Sequence, residues 1–113
     1  MMIETTKYLE FTKESRVEPF LKEVDFTVAS HRAMGGRVVW IKHADTSRPN
    51  FAASLRRNLR KMKAAGRLVC YISGKDFSSD QTETLYLLHC LPEFKDCPEL
   101  DSGDDTFTIA FLR

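Results

Sequence analysis

The chain has 113 residues, 42% of them hydrophobic and 29% charged, with 5 Gly and 4 Pro; this is the composition of one globular domain and excludes a mainly disordered or collagen-like chain. Its 17 Lys and Arg nearly cancel its 16 Asp and Glu, leaving +1. No overall charge draws the molecule to nucleic acid or an anionic membrane, so such a contact has to come from a local patch.

Residues 8–12, Tyr8-Leu9-Glu10-Phe11-Thr12, are rich in strand formers and read as a first strand, with Leu9 and Phe11 on one face. Ser15 stands three residues before Glu18, the spacing of a capping box, and Val17, Phe20, Leu21, Val24 and Val28 share one helical stripe, which predicts a helix over about 16–33. Pro19 falls in its first turn, where amides still lack helical partners, and Gly35-Gly36 offers a stop. Residues 37–43 hold the apolar run Val38-Val39-Trp40-Ile41, the pattern of a central strand covered on both faces.

After the polar turn 44–50, Phe51, Leu55, Leu59 and Met62 recur at helical period and predict a second helix ending before Gly66. Residues 68–72, Leu-Val-Cys-Tyr-Ile, repeat the buried-strand pattern, and 73–79 read as a loop. Asp80 with Glu83 predicts a third helix to about Cys90, stopped near Pro92. Six acidic residues lie between Glu93 and Asp105, in what reads as an irregular, solvated segment. Residues 106–112 alternate Phe107, Ile109 and Phe111 with Thr106, Thr108 and Ala110, a half-buried strand signature. The expected fold is a single α/β domain of order β-α-β-α-β-α-β over residues 1–113, with a mostly parallel four-stranded sheet and helices packed on it.

In such a sheet, ligands bind beyond the carboxyl ends of the strands, which here means the loops 44–50 and 73–79. Each holds hydroxyls and a cation ahead of a helix, suited to a phosphate; the same residue types also serve as plain caps and turn formers. Arg56, Arg57, Arg60, Lys61 and Lys63 form the densest cationic face and could contact nucleic-acid phosphates, or stand as a solvated helix face, or meet the acidic stretch 93–105 in this chain or another. Phe26 points away from the first helix's apolar stripe, as a binding surface or under a covering terminus. His43 beside Asp45, with Ser47 or Ser73, raises a hydrolase or transferase, although no nucleophile is placed by spacing.

No Cys-x-x-Cys pair exists among Cys70, Cys90 and Cys97, and His31, His43 and His89 show no ligand spacing, so neither a metal nor a cofactor is expected. The odd cysteine count points to a reducing compartment. No stretch of about 18 apolar residues and no leader-like apolar segment in 1–13 is found, which leads us to expect a cytoplasmic protein without a membrane span.

The run 37–47, Arg-Val-Val-Trp-Ile-Lys-His-Ala-Asp-Thr-Ser, followed by Leu55-Arg-Arg-Asn-Leu-Arg-Lys-Met-Lys-Ala-Ala-Gly-Arg-Leu-Val-Cys-Tyr-Ile-Ser73, resembles the STAS family of anti-sigma-factor antagonists. The shared features are a hydrophobic strand ending in an acidic turn, a leucine-striped helix and a small-Gly-Arg-Leu-Val junction. The resemblance implies a non-catalytic regulatory or scaffolding domain that binds a partner protein or kinase, or a second copy of itself. It implies phosphorylation at Ser47, or secondarily Thr46, with Asp45, Arg48 and Asn50 shaping the turn a partner reads. The turn departs from the family's Asp-Ser-Ser-Gly-like form, and a strand stands where the family usually ends in a helix. A lesser similarity, to Smr-type nucleic-acid domains, lacks their Asp-Leu-His-Gly-like first strand. The alternatives from other classes are a nucleic-acid-associated protein using the basic helix, and a small hydrolase or transferase at the strand ends.

Overall fold

The computed structural model describes residues 5–12, 14–43 and 49–113. Four strands, β1 (Thr6–Glu10), β2 (Val38–Lys42), β3 (Leu68–Ser73) and β4 (Phe107–Leu112), alternate with helices α1 (Val17–Ala33), α2 (Pro49–Ala64) and α3 (Thr82–Cys90), and short 3-10 turns cover Gly74–Asp76 and Pro92–Asp96. They form one α/β domain. The sheet order is β1-β2-β4-β3: β1 is parallel to β2, and β4 runs antiparallel to both of its neighbours. The sheet is therefore mixed, which corrects the mostly parallel arrangement expected from sequence.

The cause lies in residues 91–106. At about 1.5 Å per residue, the nine residues of α3 carry the chain back along the sheet, where a parallel strand would begin. Instead the chain returns to the end it came from. Asp101, at φ 62, donates its amide to the Phe77 carbonyl (2.9 Å) and takes Ser79 N–H on its carboxylate (2.7 Å). Asp104 packs against Gly74 so closely that a Cβ there would stand 1.9 Å from the Asp104 carbonyl oxygen. Chain entering the sheet from this point has to run antiparallel to β3. The acidic segment is thus not a free loop: Phe94 is buried and Leu100 is partly so.

Two cores flank the sheet. On one face Phe11, Phe20, Val24, Val28, Phe51, Leu55, Leu59 and Met62 from α1, α2 and the chain after β1 pack on Val39, Ile41, Leu68, Ala110 and Leu112; Phe11 stacks on Phe51 with centroids 3.8 Å apart. On the other face Leu87, Leu88, Leu91 and Phe94 cover Trp40, Cys70, Ile72, Phe107, Ile109 and Phe111. A register shift between Leu68 and Cys70 puts Leu68 in the α1–α2 core, whereas Cys70 and Ile72, two and four residues on, face the other. Every residue of β4 is buried, not only the alternate ones expected, because it lies between β2 and β3 with helices on both sides. Its small Thr108 and Ala110 lie on the α1–α2 side.

Local boundaries also shift. β1 begins at Thr6, not Tyr8. The N-caps of α1 and α3 are Arg16 and Gln81, and neither makes a side-chain cap bond. The Ser15 hydroxyl instead receives the Thr12 amide at 3.0 Å, and Asp80 accepts the Ser78 hydroxyl, so neither capping box forms. No helix among the described residues is long and apolar enough to cross a membrane.

Candidate functional site

The carboxyl ends of β2 and β3 and the start of β4 meet at one end of the sheet. In the register, Ser73 is the partner of Thr108, and Tyr71 precedes Ser73 by two residues on the same, α2-facing side. Above them α2 carries Arg56 and Lys63, seven residues and about two turns apart, hence on one edge of the helix about 100° from the Leu55 stripe. Beyond Ser73 the turn Gly74–Asp76 presents Lys75 and Asp76, and α3 contributes Glu83. These residues enclose a cavity of about 260 Å³ lined by Arg56, Lys63, Tyr71, Ser73, Lys75, Asp76, Glu83 and Thr108.

Hydrogen bonds set its walls. The Ser73 hydroxyl donates to Asp76 Oδ2 at 2.9 Å, the buried Thr84 hydroxyl donates to the Asp76 carbonyl at 2.7 Å, and Thr108 Oγ1 lies 2.8 Å from His43 Nε2. Arg56, Lys63, Lys75, Asp76 and Glu83 remain exposed at the mouth. Burial pushes the Cys70 thiol up to about 11, Glu83 adding to the rise and Lys63 opposing it. Burial and the carboxylate of Glu99 likewise hold Cys97 at about 11, so neither is a thiolate nucleophile near neutral pH.

The predicted site residues fall into four groups. Asp45, Thr46, Ser47 and Arg48 lie outside the described residues; Asn50 is exposed in the first turn of α2. Arg56, Arg57, Arg60, Lys61 and Lys63 are all exposed, with Arg56 and Lys63 turned to the cavity. Phe26 is 74% exposed. The ring nitrogen of His43 engages Thr108 while Ser73 engages Asp76, so the structure does not join those two as base and nucleophile. Among the described residues no three His, Cys, Asp or Glu stand together as a metal site.

No family model, curated protein or solved structure matches this chain. What it can bind must be argued from its own surface.

The acidic segment lies across the sheet from α2, since Phe94 belongs to the core opposite that of Leu55 and Leu59. The basic helix therefore does not face residues 93–100 of its own chain, whereas Asp104 and Asp105 return to the strand ends beside Gly74 and His43. Sequence reasoning missed a trough on that opposite face, where cavities of about 440 and 500 Å³ share Tyr8, Phe94 and Cys97. Glu10, Glu93, Asp96 and Glu99 surround it, with Lys42 the cation in its lining, so it repels anions. The signal available was the exposed face of β1 that carries Tyr8.

Proposed function

We propose that the protein is a non-catalytic binding domain that holds nucleic acid by its phosphates on the outer face of α2. The observation that carries this is the convergence of Arg56 and Lys63 with Lys75, from a separate element, on one hydroxyl-lined cavity, while Arg57, Arg60 and Lys61 extend the same charge along the exposed helix. Guanidinium and ammonium groups suit phosphate as forked and point contacts respectively. The near-zero net charge is no obstacle, because Glu93, Asp96 and Glu99 flank the trough on the other side of the sheet. Titrating labelled oligonucleotides at several salt concentrations tests the proposal. With four or five phosphate contacts, log affinity falls against log salt with a slope of about −3, at roughly −0.7 per contact for single strands. The triple variant Arg56→Gln, Arg57→Gln, Arg60→Gln flattens it by about 2. A salt-independent affinity, or none, overturns the proposal.

The exposure of Phe26 on α1 (74%) and of Met34 at its C-cap (60%) favours a second reading, the regulatory module of STAS type, switched by a kinase at Ser47 or Thr46. A phosphate there adds nearly two charges next to α2. On this reading Phe26→Ser weakens partner binding or self-association without unfolding the domain; unchanged sedimentation and affinity count against it.

A further inference from the structure

The cavity beside α2 differs in chemistry from the open cationic face, and the difference bears on which part of a nucleic acid enters it. Arg57, Arg60 and Lys61 stand on an exposed helix surface along which a phosphodiester chain can pass. Arg56, Lys63 and Lys75 instead point at a recess of about 260 Å³, below the size that takes a drug-sized ligand and large enough for one sugar-phosphate unit.

Its walls also carry two carboxylates, Asp76 and Glu83. They repel a bare anion, yet accept hydrogen bonds from neutral hydroxyl groups. Asp76 is held in place, its carbonyl receiving Thr84 and its Oδ2 receiving Ser73. Three cations with two hydroxyl acceptors suit a ligand that is an anion at one point and a hydroxyl donor a few ångströms away. A phosphate at a strand terminus, a monoester with a second ionisation near pH 6, carries more charge than an internal diester and so gains more from three cations gathered at one recess. The neighbouring ribose supplies the hydroxyl, which deoxyribose lacks at its 2′ position.

We propose that this cavity receives the phosphorylated terminal nucleotide of an RNA strand, its phosphate on Arg56, Lys63 and Lys75 and its ribose hydroxyl on Asp76 or Glu83. The inference rests on the nucleic-acid reading and adds to it a preference for ends. Its test compares short oligoribonucleotides of one sequence, carrying phosphate or hydroxyl at the 5′ end and, separately, at the 3′ end, with DNA of the same sequence, by fluorescence anisotropy on the full chain at constant salt. One phosphorylated RNA end is expected to bind at least about tenfold tighter than its hydroxyl counterpart, an advantage reduced in DNA. In Lys75→Gln the ratio of phosphate to hydroxyl affinities falls towards one, and in Asp76→Asn the RNA-over-DNA ratio falls. Arg57→Gln, outside the cavity, lowers affinity for both ends alike. Equal affinity of the wild type for phosphate and hydroxyl ends overturns the inference and leaves the nucleic-acid reading standing if the salt dependence persists. Absence of binding by every oligonucleotide overturns both.

Discussion

Gly74 and His43 show how single residues hold the strand-end site. Gly74 sits where β3 leaves the sheet and the chain entering β4 crosses it; a Cβ at this position would stand 1.9 Å from the Asp104 oxygen and 2.9 Å from the Phe107 ring. Neither the backbone oxygen nor the packed ring can move freely. Gly74→Ala is expected to cost about 1–3 kcal/mol, as overpacking does, read as a lowered midpoint in urea, and to disturb Lys75 and Asp76 with it. A midpoint equal to wild type contradicts the packing described. At His43, burial lowers the pKa below 6.5, against smaller raising effects from a backbone hydrogen bond and Asp105. The unfolded chain then takes up this proton more readily than the folded one, so the stabilising contribution is complete above pH 6.5 and is lost as the pH falls from 6.5 through the lowered folded value. Thermal unfolding between pH 7.5 and 5.5 should show a falling midpoint, and His43→Asn should show a shallower fall. Asp104 acts in the more acidic range: hydrogen bonds from Thr106, 2.7 Å from its hydroxyl and 3.0 Å from its amide, hold its carboxyl below the ordinary value.

Among the elements, α1 starts under a handicap. Its N-cap, Arg16, has extended backbone (φ −105, ψ 143) but no side-chain cap bond, and it puts a cation at the positive end of the helix dipole. Arg16→Asp supplies both an acceptor and the favourable charge, and should stabilise the domain by about 1 kcal/mol, measured as a raised denaturation midpoint; a lowered one would show that Arg16 has another role. The capping-box pattern at Ser15 was legible and misleading, because the Ser15 hydroxyl is bonded back to Thr12. The order of strands and helices was legible because their periodicities are long and distinct. The direction of β4 was not, since Phe107, Ile109 and Phe111 alternate identically in either direction, and the return of the chain is decided by Asp101 and Asp104 contacting residues over 20 positions away. Its full burial was hidden too, because Thr108 and Ala110 read as an exposed face until helices are placed on both sides. For the site, Ser73 and Lys75 were legible as a strand-end loop. Their meeting with Arg56 and Lys63 depends on α2 lying over the edge strand, which no local pattern encodes.

Over the whole molecule, the near-balance of charge conceals a polarity. The cations of α2 lie on one side of the sheet and Glu93, Asp96 and Glu99 on the other, separated by a core in which Phe11, Phe20 and Phe51 pack within centroid distances of 3.8–5.6 Å and Asn58 ties α2 to Asp25 of α1 at 3.0 Å. A polyanion is steered to the first side and repelled from the trough along β1. The direct measurement is amide chemical-shift mapping of the protein during titration with a short RNA. The account predicts changes concentrated at residues 56–63, 73–76 and 108, with residues 8–10 and 93–99 unmoved. Changes centred on the trough or on Phe26, with α2 silent, would contradict it.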